Sequence, residues 1–444
     1  MGRLFGTDGV RGKAGAKLTA KLAFDLGIAG ARILAKSDKK PTVLIGMDPR
    51  MSSDMLAAAL AAGICSVGAD VIMAGVVPTP AVAHLVCKYG LSAGVMVSAS
   101  HNSFGDNGIK FYNGQGYKLS DEIENEIEAM LGKETQQATG ADIGRIFRAD
   151  MATADYVEFL KLAVPTNLAG KKIVLDCANG ATFMAAPAIF EALGADVTAL
   201  ANEPDGTNIN DGCGSTHVDL LAKHVKNGSF DMAFAFDGDG DRCFAVDENG
   251  NIIDGDMILS IIGKHWSAKG KLSKNTVVAT VMSNLGFFMD AEKAGLTIEQ
   301  TQVGDRYVLE RMIAGGFNLG GEQSGHVVCL EHHTTGDGTL TALLLAQIVQ
   351  ETGKTLSQLN TMQLMPQVLI NAKLGSISKE AIQANVTIQA AIEVLHKKYE
   401  GRGRVLIRPS GTEPLIRVMI EGSDMDEITT DAKKLAQMME DFNG

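Results

Sequence analysis

The sequence lacks the segments by which membrane, secreted and lipid-anchored proteins are recognised. It contains no apolar run of about 18 residues, so we expect no membrane-spanning helix. The opening stretch MGRLFGTDGVRG has no apolar core, which argues against a secretory signal, and its sixth residue is not the Ser or Thr that N-myristoylation requires. The sequence therefore predicts a soluble, cytoplasmic protein without a membrane partner.

The sequence also contains few cysteines, and its net charge is negative. The six cysteines are spread along 444 residues without a Cys-x-x-Cys pair, which excludes the common zinc and thioredoxin-type motifs. Most lie in apolar segments, so we expect reduced, buried thiols. The net charge of -12 argues against nucleic acid as a partner. An anionic substrate would need a local basic pocket in this acidic chain.

A weak internal repeat indicates how the chain is organised. TVLIGMDPRMSSDMLAAALAAGICSVGADVIMAG and KKIVLDCANGATFMAAPAIFEALGADVTAL both read as a strand, an Ala-rich helix and a second strand, and NTVVATVMSNLGFFMDAEKAGLTIEQ is a shorter copy. Each helix should end at a glycine with positive φ, namely Gly68, Gly194 or Gly295. Any α/β chain shows such echoes, but three in order favour repeated domains with parallel sheets.

The last part of the sequence has a different pattern. From Pro366 onward we predict strand, helix, strand, strand and helix, and the central strands GRVLIRPS and PLIRVMIEG should pair antiparallel across a short loop. The predicted fold is three similar α/β domains with mixed, mainly parallel sheets, plus a C-terminal α+β domain, arranged around a central cleft. The predicted domains are 1–155, 156–255, 256–365 and 366–444.

The stretch FDGDGDR predicts a metal site. Asp237, Asp239 and Asp241 follow a strand directly, and their carboxylates would repel one another without a cation between them. Such hard oxygen ligands suit Mg²⁺ or Ca²⁺. An EF-hand is rejected because Arg242 stands where its loop needs glycine. A solvated acidic turn remains the alternative. Because three carboxylates leave a Mg²⁺ octahedron incomplete, we expect a phosphate oxygen to join them.

Two other motifs predict ligand-binding groups. A phosphate dianion could bind to the stretch GRVLIRPSGTEPLIRVM. The donors would be the side chains of Arg408, Ser410 and Arg417 and the backbone amides of Gly411 and Thr412. An ordinary hairpin with exposed arginines is the alternative.

LGGEQSGH places Glu322, Ser324 and His326 at alternate positions, which favours one face of an extended segment that presents donors and acceptors to a polyhydroxylated ligand. A plain strand edge would look similar. Arg11 and Lys118 are cations on glycine-flanked loops, where a surface role is the alternative.

A reactive group is predicted where the strand AGVMV breaks into SASHN. Turn chemistry explains an Asn or a Gly there, but not a serine followed by a histidine. Ser100 is the best nucleophile available, and a phosphoryl group on it would supply the oxygen that the aspartates lack. His101 or Lys118 could then transfer protons.

Together, SASHN, DGDGDR, GEQSGH and RPSGTEP resemble the four active-site loops of the α-D-phosphohexomutase superfamily, in the same order. The resemblance implies that Ser100 is a phosphoserine and that its phosphate and the three aspartates hold one Mg²⁺ per subunit. It also implies other site residues: Arg11, Lys118, Arg242 and His326 near the reacting phosphate, with His101 as a further catalytic candidate; Glu322, Ser324, His326, Gly304 and Asp305 at the sugar; Arg408, Ser410, Gly411, Thr412 and Arg417 at the second phosphate.

Within the superfamily, RLFGTDGVRG, SASHNSFGDNGIKF and GGEQSGH are most similar to the branch that interconverts glucosamine 6-phosphate and glucosamine 1-phosphate. That branch works through a glucosamine 1,6-bisphosphate and feeds UDP-N-acetylglucosamine and cell-wall synthesis. The alternatives are the branch acting on mannose and glucose phosphates, a metal-dependent phosphatase, and a silent sugar-phosphate binder. A homodimer and an activating kinase are further partners to test.

Overall fold

The computed structural model describes residues 3–6, 8–34, 40–374, 378–409 and 415–442. They divide into two compact units, Met1–Met282 with Gly295–Thr361, and Ser283–Ala294 with Met362–Gly444. Within the described residues, no helix has both the length and the apolar character that crossing a membrane requires.

The first sheet carries the Ser100 loop. Its strands run in the order β1-β5-β4-β2-β3-β6; they are β1 Val10–Lys13, β2 Thr42–Met47, β3 Asp70–Val76, β4 Ala93–Val97, β5 Asp106–Asn113 and β6 Ile146–Arg148. β2 is parallel to β3 and β4, whereas β5 is antiparallel to its neighbours β1 and β4. The associated helices are α1 Ala20–Leu34, α2 Ser53–Ser66, α3 Thr79–Lys88, α4 Asp121–Met130 and α5 Ala152–Ala163. β4 is fully buried, as its run of small apolar residues predicts.

The second sheet carries the aspartate loop. Its order is β11-β10-β9-β7-β8, with strands β7 Lys172–Asp176, β8 Asp196–Leu200, β9 Met232–Phe236, β10 Cys243–Val246 and β11 Ile252–Ile253, and helices α6 Ala185–Ala192 and α7 Val218–Lys226. β9 is antiparallel to β10. The acidic loop therefore joins two strands, which agrees with the rejection of an EF-hand.

The third sheet has the order β13-β12-β14-β15. Its strands are β12 Thr276–Thr280, β13 Thr297–Thr301, β14 Leu319–Gly321 and β15 Val327–Cys329; the helices of this part of the chain are α8 Gly255–Ala268, α9 Leu285–Lys293, α10 Asp305–Gly315, α11 Gly338–Thr352 and α12 Leu356–Leu359. Helix α9 belongs to the compact unit that includes the C-terminal residues.

The fourth sheet is antiparallel throughout, in the order β16-β18-β17. Its strands are β16 Gln367–Lys373, β17 Gly403–Pro409 and β18 Leu415–Gly422, and its helices are α13 Lys379–Ala384, α14 Val386–Tyr399 and α15 Met425–Glu440. The predicted antiparallel pairing of the two central strands is confirmed. So is the predicted fold class of three mixed α/β sheets followed by a C-terminal α+β part.

The internal repeat is confirmed at the level of strand pairing and helix ends. β2 and β3, β7 and β8, and β12 and β13 are parallel neighbours, each pair joined through a helix. Gly68, Gly194 and Gly295 have φ values of 92°, 93° and 69°. Because L-residues rarely adopt this left-handed conformation, glycine is favoured at these three turns.

The cysteine prediction is confirmed for Cys65, Cys177, Cys213, Cys243 and Cys329, which are buried free thiols. Cys87 is a free thiol as well, but it is exposed.

Two histidines that pack on one aromatic ring should make the free energy of unfolding depend on pH. The His84 and His333 rings lie 4.0 and 5.6 Å from the Phe159 ring, centroid to centroid. Burial lowers the pKa of His84 to about 4 and that of His333 to about 3. Below the ordinary histidine pKa of about 6.5 the unfolded chain binds protons that the folded chain does not, so stability falls with falling pH.

We therefore expect the melting temperature to decrease as the pH is lowered from about 7 to about 5. The variant His84→Phe keeps a ring on Phe159 but removes one titrating group, so its melting temperature should depend less steeply on pH. Thermal unfolding followed by circular dichroism at several pH values measures both slopes. Identical slopes in the two proteins would contradict this assignment.

Candidate functional site

Ser100 lies at the carboxyl end of β4 and faces the acidic loop that follows β9. Its side-chain hydroxyl donates a hydrogen bond of 2.6 Å to Asp237 Oδ2, and its Oγ lies 3.3 Å from His101 Nδ1. Only 1% of Ser100 is exposed, and its φ of 53° is in the left-handed region. The structure thus brings together the predicted nucleophile and one of the predicted metal ligands, although 137 positions separate them in sequence.

The three predicted metal ligands converge. One carboxylate oxygen from each of Asp237, Asp239 and Asp241 lies within 4.8 Å of the others, and all three residues are buried. Asp239 Oδ1 and Asp241 Oδ1 have no hydrogen-bond partner among the described residues. Burial and the two neighbouring carboxylates raise the pKa of Asp237 well above its usual range. Unpartnered, mutually repelling oxygens fit a hard divalent cation such as Mg²⁺.

Sequence reasoning missed a buried lysine beside this cluster. Lys110 Nζ lies 2.8 Å from Asp239 Oδ2 and 2.8 Å from Asp8 Oδ2, and its side chain is only 2% exposed. Burial would lower the pKa of Lys110, but the carboxylates of Asp239 and Asp8 raise it overall, so the ammonium stays charged. The one sequence signal was a lysine inside the otherwise apolar stretch GIKF, and a strand edge would explain that equally well.

Asp8 connects the predicted cations Arg11 and Lys118. Arg11 donates to Asp8 Oδ2, and Lys118 Nζ lies 2.6 Å from Asp8 Oδ1. Lys118 also donates to Asp305, which sequence analysis placed at the sugar. Burial would lower the pKa of Lys118, but Asp305 and Asp8 raise it well above its usual range. The acid–base candidate is therefore held as an ammonium between two carboxylates, one of which begins α10.

The two candidate histidines are in opposite electrostatic environments. Burial, followed by the charges of Arg242 and Arg11, lowers the pKa of His101 to about 4, so this ring is neutral near pH 7. Burial opposes the charge on His326, but the carboxylate of Asp241 raises the pKa of His326 above its usual value. Its Nδ1 lies 3.6 Å from Asp241 Oδ2, and its Nε2 lies 3.7 Å from Asp305 Oδ2. The surroundings of the two rings therefore shift their pKa values in opposite directions.

Arg242 extends the aspartate loop toward this network. Its backbone N–H donates to Asp237 Oδ1 at 3.2 Å, and its Nε lies 3.9 Å from Asp241 Oδ1. The buried Nε atoms of Arg242 and Arg11 have no hydrogen-bond partner among the described residues. Both guanidinium groups can thus form further hydrogen bonds to an anion.

The predicted extended segment through Glu322, Ser324 and His326 is wrong. These residues form the turn between β14 and β15, which closes where Gly325 N–H donates to the Glu322 carbonyl at 3.0 Å. The physical reason is Gly325, whose φ of 88° reverses the chain. Glu322 Oε1 accepts from the Gly304 N–H at 3.1 Å, and the buried Ser324 Oγ has no partner among the described residues.

In the other compact unit, the structure describes two of the five predicted phosphate ligands. Arg408 on β17 and Arg417 on β18 are direct partners in the antiparallel register, so their side chains leave the sheet on the same face. Both residues are half-buried. Ser410, Gly411 and Thr412 lie outside the described residues.

Known protein families match the chain in four consecutive regions, one for each of its four sheets. Four sequence models described as phosphoglucomutase/phosphomannomutase match it: α/β/α domain I at residues 2–138, domain II at 154–250, domain III at 254–366 and the C-terminal domain at 369–438. The chain belongs to the phosphoglucomutase/phosphomannomutase family. The four motifs lie one in each matched region, as the resemblance in sequence implied.

Relatives of this phosphoglucomutase/phosphomannomutase family member match over the full length. Proteins named phosphoglucosamine mutase from Ruminiclostridium cellulolyticum and Caldicellulosiruptor bescii are 54% and 53% identical to it, over 99% of each chain. A family protein from Burkholderia thailandensis has the same fold, with a TM-score of 0.81 at 24% identity over 98% of both chains. So does Aspergillus fumigatus N-acetylphosphoglucosamine mutase, solved with GlcNAc-6P and magnesium, with a TM-score of 0.72 at 19% identity over 99% of this chain and 95% of that one.

Proposed function

We propose that this protein is a phosphoglucosamine mutase, which interconverts glucosamine 6-phosphate and glucosamine 1-phosphate. The observation that carries the proposal is the 2.6 Å hydrogen bond from the Ser100 hydroxyl to Asp237, within a buried cluster of three carboxylates. A binding protein needs no hydroxyl nucleophile at such a cluster. Full-length relatives with this name, at more than half identity, support the choice of substrate.

Ser100 would carry the phosphoryl group. In the forward half-reaction the Oγ–P bond breaks while the free hydroxyl oxygen of the sugar phosphate bonds to phosphorus and gives up its proton to the protein. The product is glucosamine 1,6-bisphosphate and unmodified Ser100. After the bisphosphate reorients in the site, its other phosphoryl group returns to Ser100 Oγ. The sugar O–P bond breaks as the Oγ–P bond forms, and a proton passes from the Ser100 hydroxyl, by way of the protein, to the sugar oxygen that is left.

Asp237, Asp239 and Asp241, with a phosphate oxygen on Ser100, would hold one Mg²⁺ per subunit. The ion would offset the negative charge that develops on the transferred group. Lys110 would contribute to the electrostatic balance of this site, because its ammonium lies 2.8 Å from Asp239 Oδ2 and partly compensates that carboxylate.

The surrounding side chains divide the remaining tasks. Arg11 and Arg242 would bind the oxygens of the reacting phosphate. His101, neutral near pH 7, is suited to accept a proton beside Ser100. Lys118 is charged, and the raised pKa of His326 favours the protonated form from which it could donate one. Two further groups remain predicted ligands: Glu322, Ser324, Gly304 and Asp305 for the sugar, and Arg408, Ser410, Gly411, Thr412 and Arg417 for the second phosphate.

Phosphorus NMR tests the substrate. The purified protein, supplied with Mg²⁺ and a hexose 1,6-bisphosphate, is given glucosamine 1-phosphate, glucose 1-phosphate and mannose 1-phosphate in parallel. We expect glucosamine 1-phosphate to be converted to its 6-phosphate fastest. Release of inorganic phosphate from all three, without isomerisation, would instead identify a phosphatase.

A phosphomannomutase/phosphoglucomutase is the second candidate. It is favoured by the family description that matches all four regions of the chain, and it would use the same residues. Faster conversion of glucose or mannose 1-phosphate in the NMR experiment would select it.

For either candidate, a cytoplasmic location, a homodimer and priming by the bisphosphate or by a kinase complete the proposal. The glucosamine product would feed UDP-N-acetylglucosamine and cell-wall synthesis.

A further inference from the structure

Among the described residues, Arg50, just after β2, has one of the largest side chains that are fully buried, and its hydrogen bonds converge on one loop. Nη2 donates to the Ser100 carbonyl at 2.8 Å and to the Asn102 carbonyl at 2.9 Å. Nη1 donates to the carbonyls of Ser103 and Asp106. All four Nη–H donors therefore bind the backbone that follows Ser98.

The remaining donor of Arg50 closes a ring of hydrogen bonds through Ser100. Nε donates to Asp48 Oδ2 at 2.8 Å, and the same oxygen accepts from the Ser98 hydroxyl at 2.6 Å. Ser98 Oγ in turn accepts from the Ser100 N–H at 2.9 Å. Both backbone polar groups of Ser100 are thereby fixed by side chains that leave the ends of two adjacent parallel strands, β2 and β4.

The aspartate-bearing part of the chain contributes to the same carbonyl. Asn210 Nδ2 donates to the carbonyls of Ser100 and Asn102 at 2.9 and 3.1 Å. Gly238, between two of the aspartates, leaves room for this contact: a Cβ there would lie 2.6 Å from the Ser100 carbonyl oxygen and 2.7 Å from Asn210 Nδ2. The Ser100 backbone is therefore held against the metal loop as well as against its own sheet.

Ser100 needs this support because it is not glycine. Its φ of 53° lies in the left-handed region, which L-residues rarely occupy, and this conformation directs Oγ toward Asp237. A residue in such a conformation persists only where its surroundings over-determine it.

We infer that Arg50 is a positioning residue for phosphoryl transfer, which keeps Ser100 in its left-handed conformation so that Oγ faces the aspartate cluster. The inference deepens the proposed function and rests on it. A merely structural role would be served by any buried group that fills the space, whereas here the planar guanidinium directs four donors to the backbone of one loop and the fifth to Asp48.

The test compares Arg50→Lys with wild type. Lysine keeps the charge next to Asp48 but cannot reach four carbonyls, so we expect kcat to fall on the order of 100-fold, as a displaced nucleophile does. The KM for glucosamine 1-phosphate should change by less than about threefold, because the sugar ligands are untouched. Hydrogen exchange followed by mass spectrometry should show faster exchange over residues 98–106.

Arg404→Lys is the matched control. Arg404, in the compact unit that includes the C-terminal residues, also donates to a buried carboxylate, Glu421, and to a backbone carbonyl, that of Ser283. This variant should have a lower melting temperature than wild type but an unchanged kcat. Asn210→Ala removes one of the two side chains on the Ser100 carbonyl, so it should lower kcat by a smaller factor than Arg50→Lys and serves if Arg50→Lys does not fold.

The inference is overturned if Arg50→Lys has a lower melting temperature but the kcat of wild type and wild-type rates of hydrogen exchange over residues 98–106. It is also overturned if Asn210→Ala folds and its kcat is unchanged. Failure of the proposed function has a different signature, because wild type itself would then convert none of the sugar phosphates. The exchange measurement decides the conformational claim even in that event.

Discussion

Replacing Ser100 with alanine should abolish mutase turnover while leaving the fold intact. The hydroxyl is the atom that would carry the phosphoryl group, so without it there is no covalent route, and we expect kcat to fall by roughly four orders of magnitude or more. The folded chain loses one hydrogen bond, to Asp237, at a site where the carboxylate already has a raised pKa and is readily neutralised. Alanine also keeps the backbone contacts with Arg50 and Asn210.

The measurement is the steady-state rate of glucosamine 1-phosphate conversion in the presence of bisphosphate, together with intact-protein mass spectrometry for phosphorylation. Ser66→Ala is the control, because it removes a hydroxyl that also makes a hydrogen bond, to the Gly63 carbonyl at 2.8 Å, but on α2. Near-normal turnover in Ser100→Ala would show that another residue carries the phosphoryl group.

Replacing Asp237 with asparagine should separate metal binding from stability. In the metal-free protein three buried carboxylates repel one another, so a neutral isostere at this position relieves repulsion and the melting temperature should stay the same or rise. In wild type, added Mg²⁺ should raise the melting temperature by binding the folded state. That rise should be absent in Asp237→Asn, and kcat should fall on the order of 100- to 1,000-fold.

Asp239→Asn provides the contrast. Asp239 pairs with the buried Lys110, so neutralising it leaves that ammonium with less compensation, and the melting temperature should fall even without Mg²⁺. Thermal unfolding of wild type and both variants, with and without Mg²⁺, measures all the effects. If Asp237→Asn retained the Mg²⁺-dependent rise, the assignment of this loop as the metal site would be wrong. If it unfolded at a lower temperature than Asp239→Asn without Mg²⁺, the role given to the Lys110–Asp239 pair would be wrong.

The elements that carry chemistry could be predicted from sequence where they are local. The run AGVMV predicts a buried strand, and SASHN predicts its end; the glycines between the aspartates predict a loop in which the carboxylates converge. In each case the pattern lies within a few residues, and the physical cause is steric or electrostatic between near neighbours. The fold class follows for the same reason, since the repeated strand–helix–strand pattern is local.

The groups that surround the site could not be predicted, because they arrive from distant positions. Arg50 is 50 residues from Ser100, and Lys110 is 129 residues from Asp239. A buried Arg or Lys is an unusual residue for an interior, and only the converging carbonyls and carboxylates explain it. The turn at Glu322–His326 was misread because alternation of polar residues does not distinguish a strand from a turn when a glycine reverses the chain.

The membership of helix α9 in the C-terminal unit bears on how the chain is synthesised. Asn284, at the start of α9, both donates to the Met365 carbonyl and accepts from the Met365 N–H, and the Leu285 N–H donates to Glu421. During translation this helix leaves the ribosome long before the strands that complete its surroundings. Closing a loop of that length costs chain entropy, so the backbone amides of the C-terminal unit should be the last to become protected from hydrogen exchange as the chain folds. This unit should also be the part of the nascent chain that depends most on chaperones.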